Sequence, residues 1–275
     1  MDPTRAWELW QKVRHQKPLV QCITNFVSMD IMANTLLAAG ASPAMAHSAQ
    51  EVEDFSKLAS ALLVNVGTLT PDWTDGMQLA AKAAKQNGKP WVLDPVGAGA
   101  TPFRTKVIMD LVKLQPTMIR GNASEIMAVA GAAVQTRGVD TSAEVSDALQ
   151  HAQQLARDLG CIVAVSGAVD KVTDGKRTLS VRNGVEMLTY ITAAGCSVTA
   201  LAAAFISAEP EDPLFATAAA LSIFGLSAEL GALGSGPGSL RVGMMDKLFN
   251  MTWHEAAGQG TTWQSQGLHI TEDAL

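Results

Sequence analysis

Five short apolar runs, each separated from the next by a helical segment, constrain this chain more than any other feature. The runs are ASPAMA (41–46), ALLVNVG (61–67), PWVLDPV (90–96), TMIR (117–120) and CIVAVSG (161–167). Residues 29–39 (MDIMANTLLAA) have helical spacing and stop at Gly40, and EVEDFSKLAS follows the first run with the same spacing. DGMQLAAKAAKQN (75–87) closes at Gly88, and further helices are expected near 103–114, from 123, and over 142–159. Strands alternating with helices imply a mostly parallel sheet covered on both faces. A DG turn inside VDKVTDGKRTLSVRNG then signals a hairpin, and from residue 196 the pattern is nearly all helical. No repeat or low-complexity linker marks a boundary. The expectation is one domain over residues 1–251, with a polar tail, 252–275, left unassigned.

Composition removes several function classes. The net charge of −6 and the absence of any basic cluster argue against a nucleic-acid partner, because phosphate binding needs concentrated Lys and Arg. Three widely spaced cysteines, Cys22, Cys161 and Cys196, form neither a disulfide framework nor a metal-ligand spacing, which points to a reducing, cytoplasmic setting. The first 18 residues carry charges where a signal peptide needs its apolar centre. They read as a short helix capped by Asp2 with Pro3 in its first turn. Residues 187–208 and 213–228 lack charge. Their Ala, Gly, Ser and Thr content gives little transfer energy, and AEPEDP separates them, so a buried helical pair is expected and not a membrane span.

In open parallel sheets, ligands bind where strand ends lead into helices, so the junctions are the places to search. In DPVGAGAT (94–101), Asp94 ends a strand, and Gly97 and Gly99 permit close backbone approach. A carboxylate there either binds Mg²⁺, accepts a proton or caps a tight loop. In RGNASEI (120–126), Asn122 and Glu125 make a capping box, while Arg120 and Glu125 together also suit a phosphate–Mg²⁺ site. Ser166 and Gly167 end another strand, and Asp170 and Asp174 are assigned to a solvated hairpin. ITAAGCSVTALAAAF (191–205) reads as a strand exit followed by a helix start at Gly195 and Cys196. First-turn N–H groups there favour an anion and lower a thiol pKa, although a small buried residue is the ordinary role of a free cysteine. Asn25 can hydrogen-bond a small heterocycle, and the Met45 thioether can pack on its face.

Six segments, in this order, resemble the hydroxyethylthiazole kinases of the ribokinase-like superfamily. They are PLVQCITNFVSMDIMANTLLAAGASPAM, VLDPVGAGATPFR, IRGNASEI, VAVSGAVD, AGCSVTALAAAF and GPGSLRVGMMDKL, spanning about residues 18 to 249. The resemblance implies a ribokinase-like three-layer α/β fold with a helical C-terminal third. It implies ATP-dependent phosphorylation of 4-methyl-5-(2-hydroxyethyl)thiazole at its primary alcohol in thiamine salvage, with Mg²⁺ as cofactor. It also implies a homotrimer with substrate sites near subunit boundaries.

By position, the resemblance puts Met45, Asn25 and Val27 at the thiazole. It puts Arg120 and Ser166, with Asn122 beside them, at ATP, and Asp94 and Glu125 on the metal side. Gly195 and Cys196 fall at the reacting alcohol, where Cys196 either serves as a base or only lines the anion hole. The family usually reads Gly–x–Gly–Cys where this chain has Ala193–Ala194–Gly195–Cys196. Ala193 therefore occupies a substrate-side glycine position, where ordinary backbone angles would tolerate its methyl and the added group would narrow the pocket.

Overall fold

The computed structural model describes residues 2–131, 145–232, 236–259 and 267–273. Each of the five apolar runs contributes a strand, and one more precedes them. The parallel set is β1 (Leu19–Ile23), β2 (Ser42–Ala44), β3 (Ala61–Asn65), β4 (Trp91–Asp94), β5 (Met118–Asn122) and β6 (Ile162–Ser166). Three antiparallel strands extend it: β7 (Asp170–Thr173), β8 (Thr178–Val181) and β9 (Ile270–Glu272). They form one sheet in the order β2-β1-β3-β4-β5-β6-β7-β8-β9.

The helices are α1 (Pro3–Gln16), α2 (Met29–Ala39), α3 (Val52–Leu58), α4 (Pro71–Gln86), α5 (Pro102–Val112), α6 (Ala123–Val129), α7 (Val145–Leu159), α8 (Ala194–Ala208), α9 (Pro213–Gly231), α10 (Pro237–Asn250) and α11 (Trp253–Ala256). Successive side chains of a strand point to opposite faces. Leu62 and Val64 of β3 accordingly join one core with α4 to α7, whereas Ala61 and Leu63 join the other with α1, α2 and α8 to α10. Both faces are buried, which is why the strands read as unbroken apolar runs.

The chain's punctuation explains the helix starts. Asp2 accepts the Thr4 N–H at 2.8 Å ahead of Pro3. Thr70 and Thr101 each precede a proline and cap α4 and α5 through Trp73 N–H and Arg104 N–H. Helix α4 thus begins at Pro71, earlier than residue 75. Residues 142–144 of the expected helix over 142–159 lie outside the described residues.

The strand expected to exit at residue 191 is not formed. Instead β8 ends at Val181, and Glu186–Tyr190 forms a 3₁₀ turn. The Glu229 carboxylate accepts Asn183 Nδ2–H at 3.1 Å and Gly184 N–H at 2.8 Å, which bends the chain off the sheet towards α9. Among the described residues, α9 alone is long and apolar enough to cross a membrane, with mean hydropathy 1.5. That stretch is 89% buried within the fold.

Candidate active site

The carboxyl ends of β1, β3, β4, β5 and β6 open on the same side as the start of α8, and the polar residues gather there. β2 and β3 lie on opposite sides of β1, so the chain changes direction across the sheet at the β1–β3 boundary. Such a switch point leaves a crevice for a ligand. Asn25 follows β1, Asn65 ends β3, Asp94 ends β4, and Asn122 pairs in register with Ser166 across β5 and β6.

Asp94 is 2% exposed. Its Oδ2 accepts Asn65 Nδ2–H at 2.8 Å and lies 3.2 Å from the Thr199 hydroxyl of α8. Burial pushes its pKa up to about 7, Arg120 pulls it down, and Glu125 pushes it further up. Glu125 forms the capping box expected from the sequence: its Oε2 accepts Asn122 N–H at 2.9 Å, and Asn122 Oδ1 accepts Glu125 N–H at 2.9 Å. Its other oxygen, Oε1, accepts Gly97 N–H at 2.8 Å. One carboxylate therefore starts α6 and pins the glycine loop after Asp94. Gly97 itself has φ 71°, a left-handed angle that favours glycine.

Arg120 leans across the sheet end onto the first turn of α8. A Cβ placed on Gly195 would lie 2.7 Å from Arg120 Nη1, so glycine is required by the guanidinium's approach. Arg120 Nε is buried without a hydrogen-bond partner. Asp170, expected in a solvated hairpin, is instead half-buried. It accepts Gly167 N–H at 2.9 Å, and burial raises its pKa to about 6 against the pull of Arg120.

Cys196 takes the buried role of an ordinary free cysteine and not the thiolate that a helix start could favour. Burial, reinforced by the charge of Asp94, pushes its pKa up to about 12, although Asn65, Asn25 and Arg120 act the other way. Desolvation outweighs the helix dipole here, and the sulfur is a neutral thiol. Asn25 Nδ2 stands 3.6 Å from it. Val27, by contrast, is 58% exposed, and Met45 is half-buried against the α8 core. Ala193 has φ 62° and ψ 11°, so its backbone angles are not ordinary: an L-residue occupies a left-handed position. A left-handed residue ahead of a helix turns successive N–H groups towards one side, an arrangement suited to an anion.

Opposed to this positive edge stand two buried carboxylates, with a neutral thiol close by. That combination suits transfer of a charged group to a small polar acceptor. Residues 10–254 match the model of the hydroxyethylthiazole kinase family. The chain belongs to that family. It is 52% identical over 248 residues to a hydroxyethylthiazole kinase of Arabidopsis thaliana, covering 90% of each chain. The solved hydroxyethylthiazole kinase structure from Pyrococcus horikoshii superposes with a TM-score of 0.88 at 39% identity, over 98% of this chain and 100% of the other. A ribokinase-like superfamily protein from Enterococcus faecalis shares the fold, with a TM-score of 0.59 at 10% identity over 86% and 88% of the two chains.

Within this member of the hydroxyethylthiazole kinase family, three residues passed over in the sequence hold the site together. Asn65 lies inside the run ALLVNVG, where an amide at a strand end is a visible but easily discounted signal. Thr199, one turn after Gly195, sets its hydroxyl 2.9 Å from the Gly195 carbonyl. Arg104 donates to the carbonyls of Val66, Val96 at 2.9 Å and Gly67 at 3.1 Å, joining the loops after β3 and β4.

Proposed function

We propose that the chain transfers the γ-phosphoryl group of ATP to the primary hydroxyl of 4-methyl-5-(2-hydroxyethyl)thiazole, a thiamine-salvage reaction. The observation that carries this reading is the Arg120 guanidinium set against the first turn of α8 and within the field of Asp94. The alcohol oxygen bonds to the γ-phosphorus, the bond from that phosphorus to ADP breaks, and the alcohol proton passes to solvent water. Phosphoryl transfer needs alignment and charge stabilisation more than covalent help. Arg120 and the first-turn N–H groups of α8 supply the charge stabilisation. Ser166, at the end of β6 beside Asn122, contacts the nucleotide, and Met45, Asn25, Val27 and Ala193 surround the thiazole.

Asp94 and Glu125 fit Mg²⁺. They are two buried carboxylates close enough for Glu125 to raise the Asp94 pKa, and a divalent cation relieves that repulsion. Among the described residues no cluster of three or more His, Cys, Asp or Glu is placed to hold a metal. When bound, Mg²⁺ supplies charge neutralisation on the phosphates. Because Cys196 stays protonated near neutral pH, it lines the site as a neutral thiol. The homotrimer with sites near subunit boundaries belongs to the same reading, and the exposed Phe26 and Val27 beside Asn25 leave an apolar surface there for a neighbouring subunit.

The test is ADP release from ATP and Mg²⁺ with the thiazole alcohol as acceptor. Turnover is expected with this alcohol, and Asp94→Ala is expected to lower it at least about 100-fold, as for a buried charge acting on the transition state. Equal or faster turnover of pyridoxal or a hydroxymethylpyrimidine would overturn the assignment.

A further inference from the structure

We propose that Asn65 is a positioning residue of the acceptor site, whose amide ties the orientation of Asn25 to the carboxylate of Asp94. Asn65 is the last residue of β3 and is 0% exposed, its amide enclosed by Asp94, Asn25 and the loop at Gly67. A buried amide must place its donors and its acceptor correctly, and here only one orientation does so. Its Nδ2–H donates to Asp94 Oδ2 at 2.8 Å, an atom that only accepts when the carboxylate is ionised. Its Oδ1 accepts Gly67 N–H at 3.0 Å, a group that only donates. Rotating the amide by half a turn would set donor against donor at Gly67 and acceptor against acceptor at Asp94.

The fixed Oδ1 then dictates the next amide in the chain. Asn25 Nδ2–H donates to Asn65 Oδ1 at 2.8 Å, and the same nitrogen faces Cys196 Sγ at 3.6 Å. Asn25 Oδ1 accepts Val27 N–H and Ser28 N–H, both at 3.0 Å, at the start of α2. The connection from Asp94 through Asn65 to Asn25 thus has its amide polarities determined, and both amides face the Cys196 thiol at its far end. Gly67 belongs to the same arrangement: a Cβ there would lie 2.6 Å from Asn25 Nδ2, so the loop after β3 leaves Asn25 no second position. A leucine at position 65 keeps the volume but removes both halves of the connection. It leaves Asn25 with an unpaired donor and Asp94 without one of its two neutral partners.

This inference rests on the kinase reading above, and wild-type turnover tests that reading separately. The experiment compares wild type, Asn65→Leu, Asn25→Ala and the double variant, with steady-state constants for both substrates and calorimetric binding of the thiazole alcohol alone. Asn65→Leu is expected to raise the KM and the Kd for the alcohol about tenfold or more and to lower kcat, because a buried donor is left unpaired. KM for ATP should stay within about threefold. In the Asn65→Leu background, Asn25→Ala should weaken alcohol binding less than about threefold further, since coupled residues do not contribute independently. Should Asn65→Leu not fold, Asn65→Ser, too short to bridge both partners, is expected to give the same pattern. A wild type that turns over, with variants whose KM values for ATP and alcohol rise together, would mark Asn65 as merely structural and overturn the proposal. A double variant whose losses simply multiply would overturn it as well.

Discussion

Ala193 holds the most strained backbone position in the site. An L-residue in the left-handed region costs roughly 1–2 kcal/mol, and glycine avoids most of that while losing some unfolded-state entropy on folding. Ala193→Gly is therefore expected to stabilise the protein by about 0.5–1 kcal/mol and to raise Tm by roughly 1–3 °C. A lower Tm would mean that the methyl's packing against the α8 core outweighs the strain. Three positions along, Cys196 shows the opposite kind of misfit between local rule and outcome. A helix start should favour its thiolate, but removal from water dominates and pushes the pKa up to about 12. The folded state therefore holds its proton where the unfolded thiol, near 8.5–9, has lost it. Alkylation of Cys196 by iodoacetamide in the folded protein should be slow at pH 8 and accelerate only as pH approaches about 12. The same linkage makes stability fall, not rise, as pH climbs from about 9 towards 12. Rapid modification at pH 8 with native Tm intact would contradict a buried neutral thiol.

At the scale of elements, strands and their burial were legible because they follow from periodicity, whereas the site was legible only in part. The runs 61–67, 90–96 and 161–167 each contain their strand, since two-faced burial leaves an unbroken apolar signature. The capping box at Asn122 and Glu125 was legible for the same local reason. What the sequence hid is the double use of a single group. Asn65, Thr199 and Arg104 act across 29 or more residues of chain, and no spacing rule reports such contacts. The strand expected before Ala193 failed because the chain leaves the sheet at Gly184, whose backbone N–H is taken by Glu229, far along the chain.

Glu125 lets capping and chemistry be separated. Glu125→Ala removes acceptors from Asn122 N–H and Gly97 N–H, at about 1–3 kcal/mol, while Glu125→Gln keeps one acceptor and loses roughly half as much. If the charge matters to phosphoryl transfer, both variants lose turnover to a similar degree despite their different melting temperatures. Full turnover in Glu125→Gln would reduce Glu125 to a cap and a loop anchor.

For the molecule as a whole, the site and the far sheet edge are distinct regions joined by one sheet. The polar segment after residue 252, which offered no pattern, returns to supply β9 and covers the outer edge of β8. Lys171 pairs with Asp273 at 2.7 Å, and Arg177 pairs with Glu272 at 2.7 Å. Exposed or half-exposed ion pairs of this kind add little, usually under about 1 kcal/mol each. Burial of Leu268 and Ile270 matters more, at about 1.5–3 kcal/mol for each side chain. A chain ending at residue 259 is accordingly expected to lose about 4 kcal/mol and roughly 10 °C in Tm. It should also self-associate through the uncovered β8 edge, because an unpaired strand templates pairing with another chain. Turnover below the new transition should remain within about twofold of the full-length chain, because Asn25, Asn65, Asp94 and Arg120 belong to β1, β3, β4 and β5 or their ends, whereas in the sheet β9 adjoins only β8 and the removed segment also meets α9 and Asn183. Calorimetry, light scattering and an ADP-release assay on the same preparation separate these effects. Loss of activity in a truncated chain that still melts cooperatively would show that the far edge governs the site's geometry and not only its stability.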